Sequence, residues 1–105
     1  MFTVVETPTF SRLCLDYWTE DERGAFAAWI AANPESGVVI KGSGGCRKVR
    51  WSRPGVGRRS GVRIIHFNEL DDGRIYLLLI YAKSAKDNVL VNVLLKIKEA
   101  LHAHD

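Results

Sequence analysis

The chain has 105 residues, of which 47% are hydrophobic and 26% charged, and its formal net charge is only +3. A chain of this length is one domain, taken here as 1–105, and it buries well over half of its unfolded surface. The longest apolar run, 75–82, excludes a membrane-spanning helix, which needs about 20 apolar residues. The opening MFTVVETPTF lacks the basic and then apolar segments of a signal peptide, and two cysteines, Cys14 and Cys46, make no disulfide framework. A reduced protein of the cytoplasm is expected.

Residues Phe2 to Glu6 are apolar and β-branched and predict a first strand. Thr7-Pro8 reads as an N-cap followed by Pro at the first helical position, and Phe10, Leu13, Cys14 and Tyr17 then form one apolar stripe at helical spacing. Thr19 to Glu22 has the form of a capping box. A second helix runs from there to Asn33, where Pro34 stops it, with Phe26, Trp29 and Ile30 facing inward and Ala25, Ala28 and Ala32 permitting close approach to a neighbour. Val38 to Ile40 predicts a short strand ahead of the glycines that follow. Arg47 to Ser52 and Val62 to Glu69 predict the two arms of a hairpin. After a turn at Asp71-Asp72-Gly73, the near-continuous apolar run from Arg74 to Lys83 predicts an inner strand buried on both faces. A last helix begins after Ser84 to Asn88 and carries Leu90, Val93, Leu94, Ile97 and Leu101 at helical spacing, with Lys96, Lys98, Glu99 and His102 toward solvent. The expected architecture is α+β: a mainly antiparallel sheet of four or five strands, with two N-terminal helices and one C-terminal helix on one face of it.

Charge is placed unevenly. Lys41, Arg47, Lys48, Arg50, Arg53, Arg58, Arg59 and Arg63 lie in one stretch, no Asp or Glu falls between Glu35 and Glu69, and outside 36–68 seven Lys/Arg face twelve Asp/Glu. A field of one sign with aromatics embedded in it marks an anionic partner more often than a merely solvated face. Alternation puts Arg47, Val49 and Trp51 on one side of the first hairpin arm, and Lys48 and Arg50 together on the other. The KGSGG segment is not a phosphate loop, because it lacks the Gly-Lys-Ser/Thr ending and the helix that follows it in that motif. Alternation also points His66 away from Arg63, which favours a sheet histidine over a catalytic base. Trp51, Phe67 and Tyr76 are better explained as core than as platforms for stacking bases. His102 and His104 sit at the fraying end of the last helix, without the spacing of metal ligands.

Taken in order, GGCRKVRW, SGVRII and YAKSAKDN make the chain resemble the RelE/ParE superfamily of toxins from bacterial type II toxin–antitoxin systems, most closely its HigB-like branch. The likeness covers essentially the whole chain from Phe2 to the last helix. It implies a small fold like that of the microbial ribonucleases. For the RelE and HigB branches it implies a ribosome-dependent messenger-RNA endoribonuclease, or mRNA interferase, which cuts translated mRNA in the A site of the 70S ribosome, inhibits translation and arrests growth. It further implies a cognate antitoxin, usually a helix-turn-helix protein of the HigA type, in a toxin–antitoxin hetero-oligomer, and no cofactor, metal or membrane. ParE members instead inhibit DNA gyrase. A nucleic-acid-binding module without catalysis is the third alternative. Basic residues at Lys48, Arg50 and Arg63 match the RNA-cutting branch.

Cleavage of RNA by its own 2′-OH needs a group to take the proton, a clamp for the charged phosphorane and a group to protonate the 5′ oxygen that leaves. Arg is permanently charged and bidentate, which suits the clamp, and a Lys crowded by other cations gives up its proton more readily. This chemistry, together with the resemblance, assigns Arg63 to the scissile phosphate, Arg50 to its support and Lys48 to proton transfer. Tyr81 and Lys83, on one face at the end of the last strand, complete the catalytic set. Lys41, Arg47, Arg53, Arg58, Arg59 and Lys86 are expected to bind RNA or ribosome. Ser84 stands where the RelE branch carries an Arg, which leaves the general acid open between Tyr81 and Lys86. Without the His and Glu pair of free ribonucleases, such a site depends on the ribosome to hold the RNA in line.

Overall fold

A computed structural model of the chain describes residues 2–52, 61–82 and 87–102. In chain order the elements are β1 (Thr3–Glu6), α1 (Pro8–Cys14), α2 (Glu20–Ala32), β2 (Val38–Val39), β3 (Arg47–Trp51), β4 (Val62–Glu69), β5 (Arg74–Tyr81) and α3 (Asp87–His102). The fold is α+β, with five strands in one mixed sheet of order β1-β5-β4-β3-β2. All neighbours are antiparallel except β1 and β5, which run parallel. The two hairpin arms are thus β3 and β4, and the apolar run after them is an inner strand.

Local chemistry starts each helix. Thr7 caps α1 by accepting from Phe10 N, and its hydroxyl donates to Leu77 O of β5 at 2.9 Å, so the cap also pins the helix to the sheet. The predicted stripe ends early. The helix stops at Cys14, and the chain turns there as Tyr17 N and Trp18 N both donate to Cys14 O. Tyr17 is left exposed, and Trp18 takes up the apolar role against Phe10 and Phe26 at ring distances of 6.0 and 5.2 Å. At α2 the capping box is complete in both directions between Thr19 and Glu22. Phe26 and Ile30 are buried and Trp29 half-buried, whereas Ala25, Ala28 and Ala32 are exposed. Ala28 lies two residues beyond Phe26, a rotation of about 200° that carries it to the far side of the helix.

The helices do not share one face of the sheet, which corrects the expectation above. α1 and α2 pack Phe10, Cys14, Phe26 and Ile30 against Val49, Val62, Ile64, Ile75, Leu77 and Ile80. On the opposite face α3 lays Leu90 and Leu94 over Ile40, Cys46, Ile65, Leu78 and Leu79. The physical reason lies in β4 and β5, whose apolar residues point both ways and need a cover on each side. A break in register sharpens this: Ile65 pairs with Leu79 but His66 with Leu77, so Leu78 is the extra residue of a β-bulge, and Leu78 and Leu79 both turn toward α3.

Two ties close the molecule. At the turn between β2 and β3, Gly44 and Gly45 take φ of +75° and +98°, which glycine adopts without strain. The buried Ser43 hydroxyl donates to Ile40 O at 2.6 Å and accepts from Cys46 N at 3.0 Å inside that turn. Lys98, expected in solvent, instead reaches back from α3 to donate to Gly44 O at 2.9 Å and sits 4.0 Å over the Phe67 ring. At the other edge, Glu6 of β1 accepts from Arg23 of α2 through both oxygens and from the Ser11 hydroxyl of α1. Among the described residues no helix is long and apolar enough to cross a membrane.

Candidate functional site

The register of β3 on β4 decides where the cations stand. Arg50 lies directly across from Arg63, and Lys48 across from Ile65, while on the other side of β4 Arg63 lies across from Tyr81 of β5. Residues directly opposed on antiparallel strands share a face, with Cβ atoms about 5 Å apart, and diagonal neighbours are roughly 7–8 Å apart. Lys48, Arg50, Arg63 and Tyr81 therefore stand together on one face, and the row Arg50, Arg63, Tyr81 crosses three adjacent strands. It is the face that carries Ile65 and Leu79 beneath α3.

Arg50 is exposed, and Lys48, Arg63 and Tyr81 are half-buried. Arg63 Nη1 donates to Ala82 O, the carbonyl just past the end of β5, at 2.8 Å. That bond fixes the guanidinium at the end of the sheet and leaves the remaining N–H donors of its fork for another acceptor. The Tyr81 hydroxyl oxygen is shielded from solvent, and its ring joins the layer under α3. Among the described residues neither Arg50 nor Arg63 forms an ion pair with a carboxylate. Like charges placed directly opposite one another are destabilising. A bound anion would relieve that repulsion, and paired guanidinium forks suit a phosphate.

The other expected residues divide into three groups. Arg47 is on the opposite face from Lys48 and Arg50, and its guanidinium is engaged by backbone: Nη1 donates to Glu35 O at 3.0 Å and to Gly37 O at 3.4 Å. Lys41 is exposed in the turn that follows β2, apart from the row on β3 and β4. Arg53, Arg58, Arg59, Lys83, Lys86 and His104 lie outside the described residues. Trp51 packs into the core against Trp29 and Phe26, with ring centroids 4.9 and 5.3 Å away, and Phe67 and Tyr76 join the layer under α3.

His66 is a buried sheet histidine with 0% exposure, its Nδ1 facing Asn68 Oδ1 at 2.9 Å and its Nε2 facing Ser36 O at 3.1 Å. Burial pushes its pKa below the ordinary 6.5, the bonds to Ser36 and Asn68 pull it back up, and the Arg47 charge adds to the lowering. Sequence reasoning passed over Asn68 and Lys98. Asn68 had a legible sign, standing two residues from His66 on the same strand; Lys98 had none, since its grip on Gly44 depends on a contact made across 54 positions of chain. Among the described residues no three of His, Cys, Asp or Glu gather as metal ligands. No protein-family model matches the chain.

Proposed function

We propose that this protein is the toxin of a type II toxin–antitoxin pair, a cytoplasmic endoribonuclease that cuts messenger RNA on the ribosome and is held off by an antitoxin. The observation that carries this reading is the placement of Arg50 directly across from Arg63, with Lys48 on the same face and, among the described residues, no carboxylate paired to either arginine. Such a face suits a phosphodiester better than it suits any neutral ligand.

In this scheme the 2′ oxygen of the RNA attacks the adjacent phosphorus, the bond from phosphorus to the 5′ oxygen breaks, and a 2′,3′-cyclic phosphate and a 5′-hydroxyl end result. Lys48 takes the 2′ proton. Arg63, already oriented by Ala82 O, clamps the equatorial oxygens of the phosphorane, with Arg50 beside it. The group that protonates the departing 5′ oxygen is Tyr81 or Lys86; Tyr81 stands next in the row but would have to expose its buried hydroxyl to act. Losing one donor to the developing charge costs on the order of 100- to 1,000-fold in rate.

The test is induced expression of the wild type and of Arg63→Ala in a permissive bacterium, with mapping of messenger-RNA 5′ ends. The wild type should arrest growth and leave cuts inside translated regions in register with codons, and Arg63→Ala should do neither while melting at the same temperature. Arrest with intact transcripts would point to gyrase inhibition instead, and harmless expression to a module that binds without cutting.

A further inference from the structure

The segment that leads from α2 to the edge of the sheet is held from behind by side chains, not by a strand ladder. Asn68 Nδ2 donates to Pro34 O, Arg47 Nη1 to Glu35 O and Gly37 O, and His66 Nε2 to Ser36 O. Four successive carbonyls, 34–37, are thus gripped by three side chains of β3 and β4. The last of them, Gly37, turns with φ of +87°, so close to Lys48 O that a Cβ there would clash with it. The chain then enters β2, where Val38 pairs with Lys48 and Val39 with Arg47. Whatever loosens 34–37 therefore loosens the strand that flanks Lys48.

His66 is the titratable member of the grip. A backbone carbonyl only accepts, so Nε2 carries a hydrogen in the neutral ring. Asn68 Oδ1 against Nδ1 favours a second hydrogen and the charged ring, but burial and Arg47 oppose the charge and prevail. Among the described residues the groups that face the ring are Arg47 from β3, Leu77 from β5, Ser36 from the gripped segment and Asn68 from its own strand, and of these Arg47 carries the charge. The Glu35 side chain is exposed, its backbone being what Arg47 holds.

We infer that Arg47, His66 and Asn68 form a proton-operated latch: closed with the ring neutral, it fixes β2 against β3, and charging His66 beside Arg47 releases 34–37 and the edge strand. The latch is independent of what the basic face binds. Since the ring holds its proton less well when latched than when released, acid favours release. The opening constant should rise about tenfold for each pH unit from the ordinary value of 6.5 down to the lower latched value, then level off.

The experiment is amide hydrogen exchange of the whole protein across that range, read by nuclear magnetic resonance with the His66 ring titration recorded on the same samples. Corrected for the intrinsic effect of pH, exchange at Val38 and Ile40 should climb along the ring's titration while exchange at Ile64 and Ile65 in β4 stays flat. His66→Gln keeps a donor for Ser36 O but cannot titrate, so its Val38 and Ile40 amides should not respond. The latch is overturned by edge-strand exchange that ignores the ring's titration, by an equal rise in β4, or by an unchanged response in His66→Gln. Should that variant not fold, the agreement or disagreement of the two wild-type curves decides.

Discussion

Arg50 and Arg63 set stability against function at the scale of single side chains. Replacing Arg50 by Gln removes a like charge from directly opposite Arg63, so the protein should shift its denaturant midpoint upward while it loses RNA affinity. Arg63→Lys keeps the charge but not the planar fork that Ala82 O orients, and activity should fall at least tenfold with little change in melting temperature. Glu6 gives a pH signature of another kind. The Arg23 side chain holds its carboxyl below the ordinary value of 4.5, against the opposing pull of burial. A depressed carboxyl stabilises the fold above its unfolded pKa, and that contribution is lost as pH falls through the folded value. Glu6→Gln should flatten unfolding curves measured through this acid range. The shared face of Lys48 and Arg50 was legible from alternation alone. The role of Arg47 was not, because its acceptors at Glu35 and Gly37 reach it only after the chain has turned back on itself.

At the level of elements, the helix starts were the most readable features. Thr19→Ala removes one side of a complete capping box and should cost about 1 kcal/mol in thermal or denaturant unfolding. The strands of the central hairpin were equally plain, as β4 begins and ends where the spacing of Val62 to Glu69 placed it. What escaped was the layering. A run such as Ile75 to Ile80 has no alternation to say which residue faces which helix, and the bulge at Leu78 breaks the period of two that would have told them apart. The consequence is that α3 has a core layer of its own. Leu94, with 0% exposure, is its anchor, and Leu94→Ala should cost about 2–5 kcal/mol and expose the layer that holds Ile65 and Leu79. Gly44→Ala would force a left-handed residue to carry a Cβ 2.6 Å from Lys98 Nζ, breaking the tie from α3 to the turn.

Over the whole molecule, charge is polarised along β4. Arg63 stands near its start and Glu69 at its end, roughly 20 Å apart at about 3.4 Å per residue, and the turn beyond Glu69 adds Asp71 and Asp72. That separation exceeds the screening length of about 8 Å at physiological salt, so the basic end attracts a phosphate chain without interference from the acidic turn. Binding of single-stranded RNA should weaken with salt, and each of Lys48, Arg50 and Arg63 that is replaced should lower the logarithmic slope by about 0.7. The most direct measurement of the central claim is a nuclear magnetic resonance titration with a short 2′-O-methyl RNA, which binds but cannot be cut. Shifts should concentrate at Lys48, Arg50, Arg63 and Tyr81 and vanish in Arg63→Ala. Shifts that gather on the α1 and α2 side of the sheet, or that persist undiminished in Arg63→Ala, would contradict the claim.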